Sequence, residues 1–143
     1  GYPVETLVNA LRDALRQEKL QPVVLVGAGN LGSALLRYQG FQKEGFEVVA
    51  AFDADPAAAR NRGVNVPLFL EEELESFLAR HPVRLAILCV PAEFAQGVAN
   101  RLVRAGIQGI LNFSPAVLEV PREIVVNRVD LASELENLSY FIR

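Results

Sequence analysis

The sequence predicts an α/β fold, a doubly wound and mostly parallel sheet with helices on both faces. Short apolar segments rich in Val, Ile and Leu alternate with amphipathic helical segments along the whole chain. The segment 84–91 is apolar without interruption, which is typical of a parallel strand covered on both faces. With 143 residues the chain is long enough for one domain with its own core. Right-handed crossovers are expected between its strands.

The first segment predicts an amphipathic helix that precedes the sheet. Proline suits the first turn of a helix, and Pro3 stands at this start. Apolar residues then recur at helical spacing as far as about Lys19, namely Val4, Leu7, Val8, Leu11 and Leu15. We expect the apolar side of this helix to need another surface to cover it.

The next segment predicts the first strand and the helix after it. Pro22 ends the helical pattern, and the β-branched residues of 23–26 favour a strand. Helical spacing returns over 31–39. Gly40 and Gly45 then predict a turn.

The remaining segments continue the alternation of strands and helices. Asp55 is expected to cap a helix that starts with Pro56 and stops near Gly63. The later predicted elements are a strand at 47–53, a short strand at 66–69, a helix at 71–80, a strand at 84–91, a helix at 92–106, strands at 109–113 and 123–130, and a closing helix from Leu131 to Ile142.

Composition restricts the class of protein. The formal charge is −3, and 22% of residues are charged while 51% are apolar, which argues against a disordered acidic tail and against a basic surface that binds DNA by itself. The single cysteine, Cys89, excludes a disulfide framework and favours the cytoplasm; it is interpreted as a small buried hydrophobe. No apolar segment approaches the roughly 20 residues of a membrane span, and no signal peptide is recognisable, so a soluble protein without a membrane partner is expected. Because the chain begins with Gly1, we expect a fragment or a processed chain.

Three glycines follow the first strand in the spacing G-x-G-x-x-G and open the next helix. In a dinucleotide-binding loop, Gly27 makes the tight turn, Gly29 lets the backbone approach a pyrophosphate, and Gly32 allows helix and strand to pack closely. The free N–H groups and positive end of the helix would then bind the phosphates. The whole predicted phosphate segment is Gly27, Ala28, Gly29, Asn30, Leu31 and Gly32. Glycines that serve only a turn remain the alternative.

Asp53 is the acidic partner of this loop. It lies 21 residues after Gly32, at the end of the second predicted strand, where a carboxylate can accept hydrogen bonds from the hydroxyls of the adenosine ribose. The first basic residues after it are Arg60 and Arg62, so no cation is expected at a 2′-phosphate, and NAD is favoured over NADP. The alternatives for Asp53 are a helix cap or a solvated loop acid.

The sequence offers little for catalysis. The only histidine, His81, precedes a strand and so lies at the wrong end of the sheet for a ligand; a surface histidine is favoured. The lysines lie in polar segments, and no metal-ligand cluster or nucleophile elbow is recognisable. The predicted sheet also uses the whole chain and leaves no substrate domain. Binding without turnover is therefore the leading interpretation, and the chain is not expected to be an enzyme.

Two further loops should face the same crevice, because both follow strands at their carboxyl ends. They span 89–96 and 112–118 and offer apolar residues with few charges, namely Val90, Pro91, Ala92, Phe113, Pro115 and Ala116. An apolar pocket would favour the neutral ring of NADH over the positive ring of NAD⁺. Ordinary loop prolines and core aromatics are the alternative interpretation.

The motifs VVLVGAGNLGSALLRY, GFEVVAAFDADP, ILCVPAEFAQ, GILNFSPAVL and VNRVDLASELENLSYF, in this order, resemble the NAD(H)-binding domain of the Rex family of redox-sensing transcriptional repressors. The resemblance covers nearly the whole chain. It implies a linking helix at 1–20 after a winged-helix domain that this chain lacks, a Rossmann domain that binds NADH or NAD⁺ at 21–130, and a C-terminal helix at 131–143 that is exchanged between the subunits of a homodimer. It further implies that the repressor leaves operator DNA when NADH binds.

The resemblance also assigns roles to residues. It places the pyrophosphate at Gly27 to Gly32, the ribose at Asp53, and the nicotinamide beside Val90, Pro91, Ala92, Phe113, Ser114 and Pro115. It implies that Leu131, Leu135, Leu138 and Phe141 serve dimerisation. An acidic residue near the closing helix would make a contact that depends on the cofactor's state, for which Asp130 is selected. Asp130 is also expected to cap that helix, and Tyr38 either packs in the core or reports the cofactor's state.

Two other functions stay open. The chain could be the cofactor domain of an NAD-dependent oxidoreductase without its substrate domain. It could also be the ligand-gating domain of a transport regulator, although the apolar loops argue against that function.

Overall fold

A computed structural model describes residues 3–18 and 20–142 and contains one six-stranded parallel sheet in the order β3-β2-β1-β4-β5-β6. The strands are β1 Gln21–Val26, β2 Phe46–Asp53, β3 Leu68–Leu70, β4 Leu85–Leu88, β5 Gly109–Asn112 and β6 Val125–Arg128. The helices are α1 Val4–Glu18, α2 Asn30–Arg37, α3 Gly40–Lys43, α4 Pro56–Asn61, α5 Leu74–Arg80 after a 3-10 turn at Glu71–Glu73, α6 Ala92–Arg104 and α7 Leu131–Phe141. The predicted doubly wound α/β fold is confirmed.

Several boundaries differ from the sequence prediction, and three of the differences have a structural reason. Gly40, predicted as part of a turn, begins the short helix α3. The predicted strand 84–91 pairs only as Leu85–Leu88, because the chain must turn there towards α6. The predicted strand 123–130 pairs only as Val125–Arg128, because β6 has a single neighbour and that neighbour, β5, ends at Asn112.

Two apolar layers hold the sheet. On one face α5 and α6 pack on the strands, and α6 buries Ala95, Val98, Ala99 and Leu102, which follow the i, i+3, i+4, i+7 spacing of a helix with one buried side. On the other face Leu36 of α2 and Ala59 of α4 pack near Leu25. A fully buried Leu contributes about 1.5–3 kcal/mol to the stability, so these two layers fix the strands that carry the crevice.

The second face stays open beside β4, β5 and β6. An apolar groove of about 480 Å³ lies there, and its lining includes Leu85, Ile87, Leu111, Val125 and Phe41. Because this groove lies on the faces of the strands rather than at their carboxyl ends, it is separate from the predicted dinucleotide crevice.

Two helices leave apolar side chains in solvent. In α7 the exposed fractions range from 60% to 82% for Leu131, Leu135, Leu138 and Phe141. In α1 the exposed side chains are Val4, Leu7, Val8 and Leu11. None of the helices within residues 3–18 and 20–142 has the length and apolar content needed to cross a bilayer.

Candidate ligand-binding crevice

The carboxyl ends of five strands are aligned by one row of hydrogen bonds. These bonds run from Gly27 N–H to Phe52 O, from Cys89 N–H to Val26 O, from Phe113 N–H to Leu88 O, and from Val129 N–H to Asn112 O, with lengths of 2.8, 2.8, 2.9 and 2.9 Å. The loops that follow β1, β2, β4, β5 and β6 therefore start side by side. This edge includes the topological switch point between β1 and β4, which is where open α/β sheets bind ligands.

Gly27 and Gly32 have the backbone and packing properties predicted for them, and Gly29 lies on an open side of the loop. Gly27 has φ +98°, and a Cβ there would come within 2.7 Å of the Cys89 carbonyl group. A Cβ on Gly32 would overlap the carbonyl oxygen of Gly27, so helix α2 can pack this closely only with glycine there. A Cβ on Gly29 would meet no described atom within 4 Å, so this side of the loop is open.

The start of α2 is free to bind an anion. The first N–H groups of a helix have no acceptor within the helix. Gly29 at the N-cap has no side chain to accept a hydrogen bond from them, and the first turn contains no acidic residue. Together with the open side of Gly29, this leaves a positive helix end accessible to a phosphate.

Ala28, in the middle of the glycine loop, is held through both of its backbone polar groups. Its N–H donates to Oδ1 of Asp53 at 3.1 Å. Its carbonyl accepts from the Ser33 hydroxyl at 2.8 Å and from the Arg62 guanidinium at 3.2 Å. We call Gly27–Gly32, Ser33, Asp53 and Arg62 the glycine-loop site.

Asp53 fastens its own loop as well as the glycine loop. Its Oδ2 accepts the N–H of Asp55 at 3.0 Å, while Oδ1 accepts the N–H of Ala28. A carboxylate has about four acceptor positions, so both oxygens keep capacity for ribose hydroxyls. Asp55 caps α4 by accepting the Ala58 N–H at 3.3 Å, as predicted.

Arg62 corrects one step of the sequence argument. No cation was expected near a 2′-phosphate, because the first basic residues after Asp53 are Arg60 and Arg62. In the structure, however, the guanidinium of Arg62 reaches the glycine loop. The backbone carbonyl of Arg62 also accepts a hydrogen bond from Arg37 of α2. The prediction of NAD rather than NADP therefore depends on the carboxylate of Asp53, and not on an absence of positive charge.

A cavity of about 250 Å³ lies at the end of β6, beside the glycine loop. We call it the β6 pocket, and it is lined by Leu31, Phe113, Ser114, Pro115, Arg128, Val129, Asp130 and Leu131. Leu31 belongs to the phosphate segment, so the pocket adjoins the glycine-loop site. The structure thus brings together residues that the sequence selected from three separate segments.

The loop after β5 is held by a buried polar network. Asn112 Oδ1 accepts the Ser114 N–H at 2.9 Å and the Ser114 hydroxyl at 2.6 Å. The amide of Asn112 donates to the carbonyl of Ala116 at 2.9 Å. Only 3% of Ser114 is exposed, so its hydroxyl shapes the loop from within, and a ligand would meet Phe113 and Pro115 beside it.

Arg128 and Asp130 are the charged residues of the β6 pocket. The Arg128 guanidinium donates to the Pro115 carbonyl at 3.2 Å and lies 3.6 Å from Oδ2 of Asp130. Asp130 caps α7 as predicted, since its carboxylate accepts the N–H and the hydroxyl of Ser133 at 3.1 and 2.9 Å. These two hydrogen bonds lower the pKa of Asp130, and the charge of Arg128 acts in the same direction.

The loop after β4 forms the floor of the glycine-loop site. Val90 is buried, and its backbone N–H lies against Gly27, while Pro91 and Ala92 are exposed where α6 begins. Cys89, predicted as a small buried hydrophobe, is only partly buried, against the apolar layer that contains Leu25. This burial raises the pKa of its thiol to about 12.

Tyr38 lies away from these residues within one chain. It follows the last residue of α2, is 59% exposed, and packs edge-on against Phe41 with ring centroids 4.9 Å apart. Since α2 rises about 1.5 Å per residue, its eight residues separate Tyr38 from the phosphate end by roughly 12 Å. A contact that depends on the cofactor's state remains a prediction for Tyr38 and Asp130.

Five residues of this crevice were not selected from the sequence: Ser33, Arg62, Asn112, Arg128 and Val129. Two of them carried a recognisable signal. Asn112 is a polar residue at the end of the apolar segment 109–112, and Arg128 precedes the predicted cap Asp130 by two residues, so that both side chains leave the same side of an extended chain.

Comparisons with known proteins agree with this geometry. The family model of the CoA binding domain matches residues 18–116. The redox-sensing transcriptional repressor Rex of Clostridioides difficile (strain 630) is 41% identical over 143 residues, which is 100% of this chain and 68% of the relative. The Rex of Listeria welshimeri is 39% identical over 142 residues, 99% of this chain and 66% of the relative. The chain thus spans about two thirds of the length of the curated relatives it matches.

Solved structures of RSP, a Rex-family repressor, match as well. RSP in complex with beta-NADH has 40% sequence identity and a TM-score of 0.77, with coverage of 98% of this chain and 68% of that one. RSP in complex with beta-NAD⁺ and operator DNA has 39% identity and a TM-score of 0.78, with coverage of 98% and 64%. The whole-chain likeness, taken with a glycine-loop site and a β6 pocket built from the expected segments, shows that this chain carries the CoA-binding type of domain and belongs to the Rex family.

Proposed function

We propose that this chain is the NAD(H)-binding, redox-sensing and dimerisation unit of a transcriptional repressor that leaves operator DNA when NADH binds. The observation that carries the proposal is the junction of the glycine-loop site with the β6 pocket at Leu31. One extended dinucleotide can occupy both. The structures of RSP with NADH, and with NAD⁺ and operator DNA, support the same ligand and partner for this chain.

In this proposal each part of the dinucleotide has its own partners. The pyrophosphate lies at the start of α2, where Gly29 leaves the backbone accessible. The adenosine ribose donates hydrogen bonds to Asp53. The nicotinamide enters the β6 pocket beside Phe113 and Pro115. The loop at Val90, Pro91 and Ala92 remains a proposed neighbour of the ring.

Redox sensing requires that the two cofactor forms bind differently. They share the adenosine and the phosphates and differ in the charge of the nicotinamide ring, so the difference acts at the β6 pocket and at the loop proposed beside it. The apolar wall of the pocket disfavours the charged ring. A ligand shifts a conformational equilibrium only by its differential affinity for the two states. We therefore assign the sensing step to the β6 pocket.

We further propose a homodimer in which α7 is exchanged between subunits. The apolar side chains of α7 are exposed in the single chain, and an apolar groove lies open beside β4, β5 and β6. Exposed apolar surface of this kind marks protein interfaces. The formal charge of −3 disfavours direct DNA binding by this chain, so the operator contact is assigned to a winged-helix domain that the family resemblance implies.

Titration of the chain with NADH, NAD⁺ and ADP-ribose tests the sensing proposal. We expect NADH to bind more tightly than NAD⁺. ADP-ribose, which lacks the nicotinamide, should report the affinity of the glycine-loop site alone. Isothermal titration calorimetry gives the three dissociation constants. Equal affinities for NADH and NAD⁺ would contradict redox sensing, and light scattering that reports a monomer at all concentrations would contradict the dimer.

We also propose that the chain binds the dinucleotide without turning it over. His81 ends α5, stacks on Phe77, and precedes β4, so it lies at the edge of the sheet opposite the crevice. Steady oxidation of NADH by the chain in the presence of a small carbonyl substrate would instead support the oxidoreductase alternative.

Coenzyme A is a second candidate, favoured by the family model that matches residues 18–116. Its adenosine carries a 3′-phosphate, and Asp53 would then place a negative charge beside that phosphate. The same carboxylate accepts hydrogen bonds from an unmodified ribose. Competition of CoA against bound NADH separates the candidates, and displacement by CoA at lower concentration than by ADP-ribose would favour CoA.

A further inference from the structure

We propose that Arg128 is a specificity-determining residue of this site, whose positive charge in the β6 pocket weakens binding of the oxidised cofactor relative to the reduced one. This inference rests on the proposed function, since it assumes that the nicotinamide enters the β6 pocket. It goes beyond the apolar character of the pocket, because it assigns part of the selectivity to one charged side chain.

The position of Arg128 is fixed from two sides. Its guanidinium donates to the carbonyl of Pro115, which belongs to the loop that would cover the nicotinamide, and it also lies 3.6 Å from Asp130. The side chain is 43% exposed, so it is anchored at the wall of the pocket and still partly hydrated. A guanidinium keeps its charge at all pH values of interest.

The charges that face the pocket do not cancel for a ligand. Among the residues that line it, Arg128 and Asp130 are the charged ones. Both carboxylate oxygens of Asp130 accept hydrogen bonds from Ser133 at the positive end of α7, so part of its negative potential is already compensated. Arg128 has no comparable acid besides Asp130 among the described ion pairs. Arg128 contacts the uncharged carbonyl of Pro115, so its positive charge lies at the wall that the nicotinamide would touch. There it repels the positive ring of NAD⁺ and leaves the neutral ring of NADH nearly unaffected.

The size of the effect follows from the exposure of Arg128. Two unit charges separated by several ångströms interact strongly at the effective dielectric of a protein surface, but water and salt screen a half-exposed group. We expect removal of the charge to strengthen NAD⁺ binding by about threefold to tenfold, and to change NADH binding by less than about twofold.

The experiment compares four chains by calorimetry with NADH, NAD⁺ and ADP-ribose. Arg128→Gln removes the charge, Arg128→Lys keeps the charge but changes the geometry, and Arg122→Gln removes one positive charge from an exposed loop that does not line the pocket. Arg128→Gln should bring the ratio of the NAD⁺ and NADH dissociation constants closer to one. Higher salt should reduce the difference in this ratio between Arg128→Gln and the unsubstituted chain. Arg128→Lys and Arg122→Gln should keep the original ratio.

Asp130→Asn should change the ratio of the dissociation constants in the opposite direction. It leaves the charge of Arg128 uncompensated, so it should weaken NAD⁺ binding relative to NADH binding. An unchanged ratio in Arg128→Gln would overturn the inference. So would an equal loss of affinity for both cofactors in Arg128→Gln and Arg128→Lys, since that result assigns Arg128 to the support of the Pro115 loop alone. Failure of the unsubstituted chain to bind NADH would overturn the proposed function and this inference together, whereas an unchanged ratio in a chain that binds NADH overturns only the role of Arg128.

Discussion

The glycine-loop site and the β6 pocket are held together in different ways. The glycine loop is tied through the backbone of Ala28, where the N–H and the carbonyl are bonded to side chains from three other segments. The β6 pocket ends in the first turn of α7, whose apolar side chains are exposed, and Arg128 connects its walls. The first region is preorganised for the part that both cofactor forms share. The β6 pocket would contact the nicotinamide, the part that differs between the two forms, and it is continuous with α7, the helix proposed for dimer contact.

ADP-ribose distinguishes the two regions experimentally, because it reaches the glycine-loop site and lacks the nicotinamide. A substitution in the glycine-loop site should weaken NADH, NAD⁺ and ADP-ribose by the same factor. A substitution in the β6 pocket should affect the complete dinucleotides and leave ADP-ribose unchanged. The comparison fails if both kinds of substitution give the same pattern.

Gly32→Ala should have the largest effect. Its Cβ would overlap the Gly27 carbonyl oxygen, so α2 must move away from the loop that it helps to form. Overpacking of this kind costs about 3 kcal/mol, which corresponds to roughly 100-fold weaker binding of all three ligands. Calorimetry measures the affinities, and urea unfolding measures the accompanying loss of stability.

Gly97→Ala is the matched control, because a Cβ there would meet no described atom within 4 Å and the residue lies inside α6. It should raise the free energy of unfolding by about 0.5–1 kcal/mol through helix propensity and leave binding unchanged. Unaltered ADP-ribose binding by Gly32→Ala would refute the close packing seen here.

Asp53→Asn should have the next largest effect. An Asn side chain offers one acceptor oxygen, so its amide N–H₂ group would face one of the two N–H groups that Asp53 now accepts, from Ala28 and Asp55. Loss of charged hydrogen bonds to the ribose should weaken all three ligands by about tenfold or more. NADPH should lose less, because the repulsion of its 2′-phosphate disappears.

Asp55→Asn is the control for charge, since Asn is as good a helix cap as Asp and the residue lies two positions away. It should leave all affinities within about twofold of the original values. A selective loss of NADH binding with intact ADP-ribose binding in Asp53→Asn would place this carboxylate at the wrong end of the dinucleotide.

Ser114→Ala should have the smallest effect. It removes the hydroxyl that donates to Asn112 in a buried network, and such a loss costs about 1–2 kcal/mol of stability. We expect about threefold weaker NADH binding with unchanged ADP-ribose binding, because only the loop of Phe113 and Pro115 loosens. Ser76→Ala on the exposed side of α5 is the control and should change stability by less than about 0.5 kcal/mol. A decrease in ADP-ribose affinity in Ser114→Ala would mean that the two regions are not separable.

The glycine-loop site was predictable because its requirements act on the backbone. A positive φ at Gly27 and a missing Cβ at Gly32 are properties of glycine alone, so the residue type and its spacing after a strand carry the information. The parallel sheet with helices on both faces was also predictable, because strands and helices alternate along the chain. Asp53 was predictable for a similar reason, because a strand end fixes where its carboxylate lies.

The residues that were missed act through long side chains or from positions that only the packed fold defines. Arg62 reaches Ala28 across 34 positions of the chain, and no local pattern indicates where its guanidinium ends. Arg128 depends on the turn from β6 into α7, and Asn112 on the loop that folds back over it. For Tyr38, its place in the motif predicts a position at the end of a helix, but not which neighbours its side chain contacts.

The strand order also governs how the chain can fold during synthesis. β2 can pair with β1, and β3 with β2, as soon as each emerges, and β5 and β6 each join the strand made just before them. β4 is the exception, because it must return to the other edge of β1 after the whole first half has been made. Closing that long loop carries the largest entropic cost of the sheet. Until it closes, β1 keeps one edge unpaired, so pairing of Val23–Val26 with Leu85–Leu88 is the step at which we expect folding to compete with aggregation.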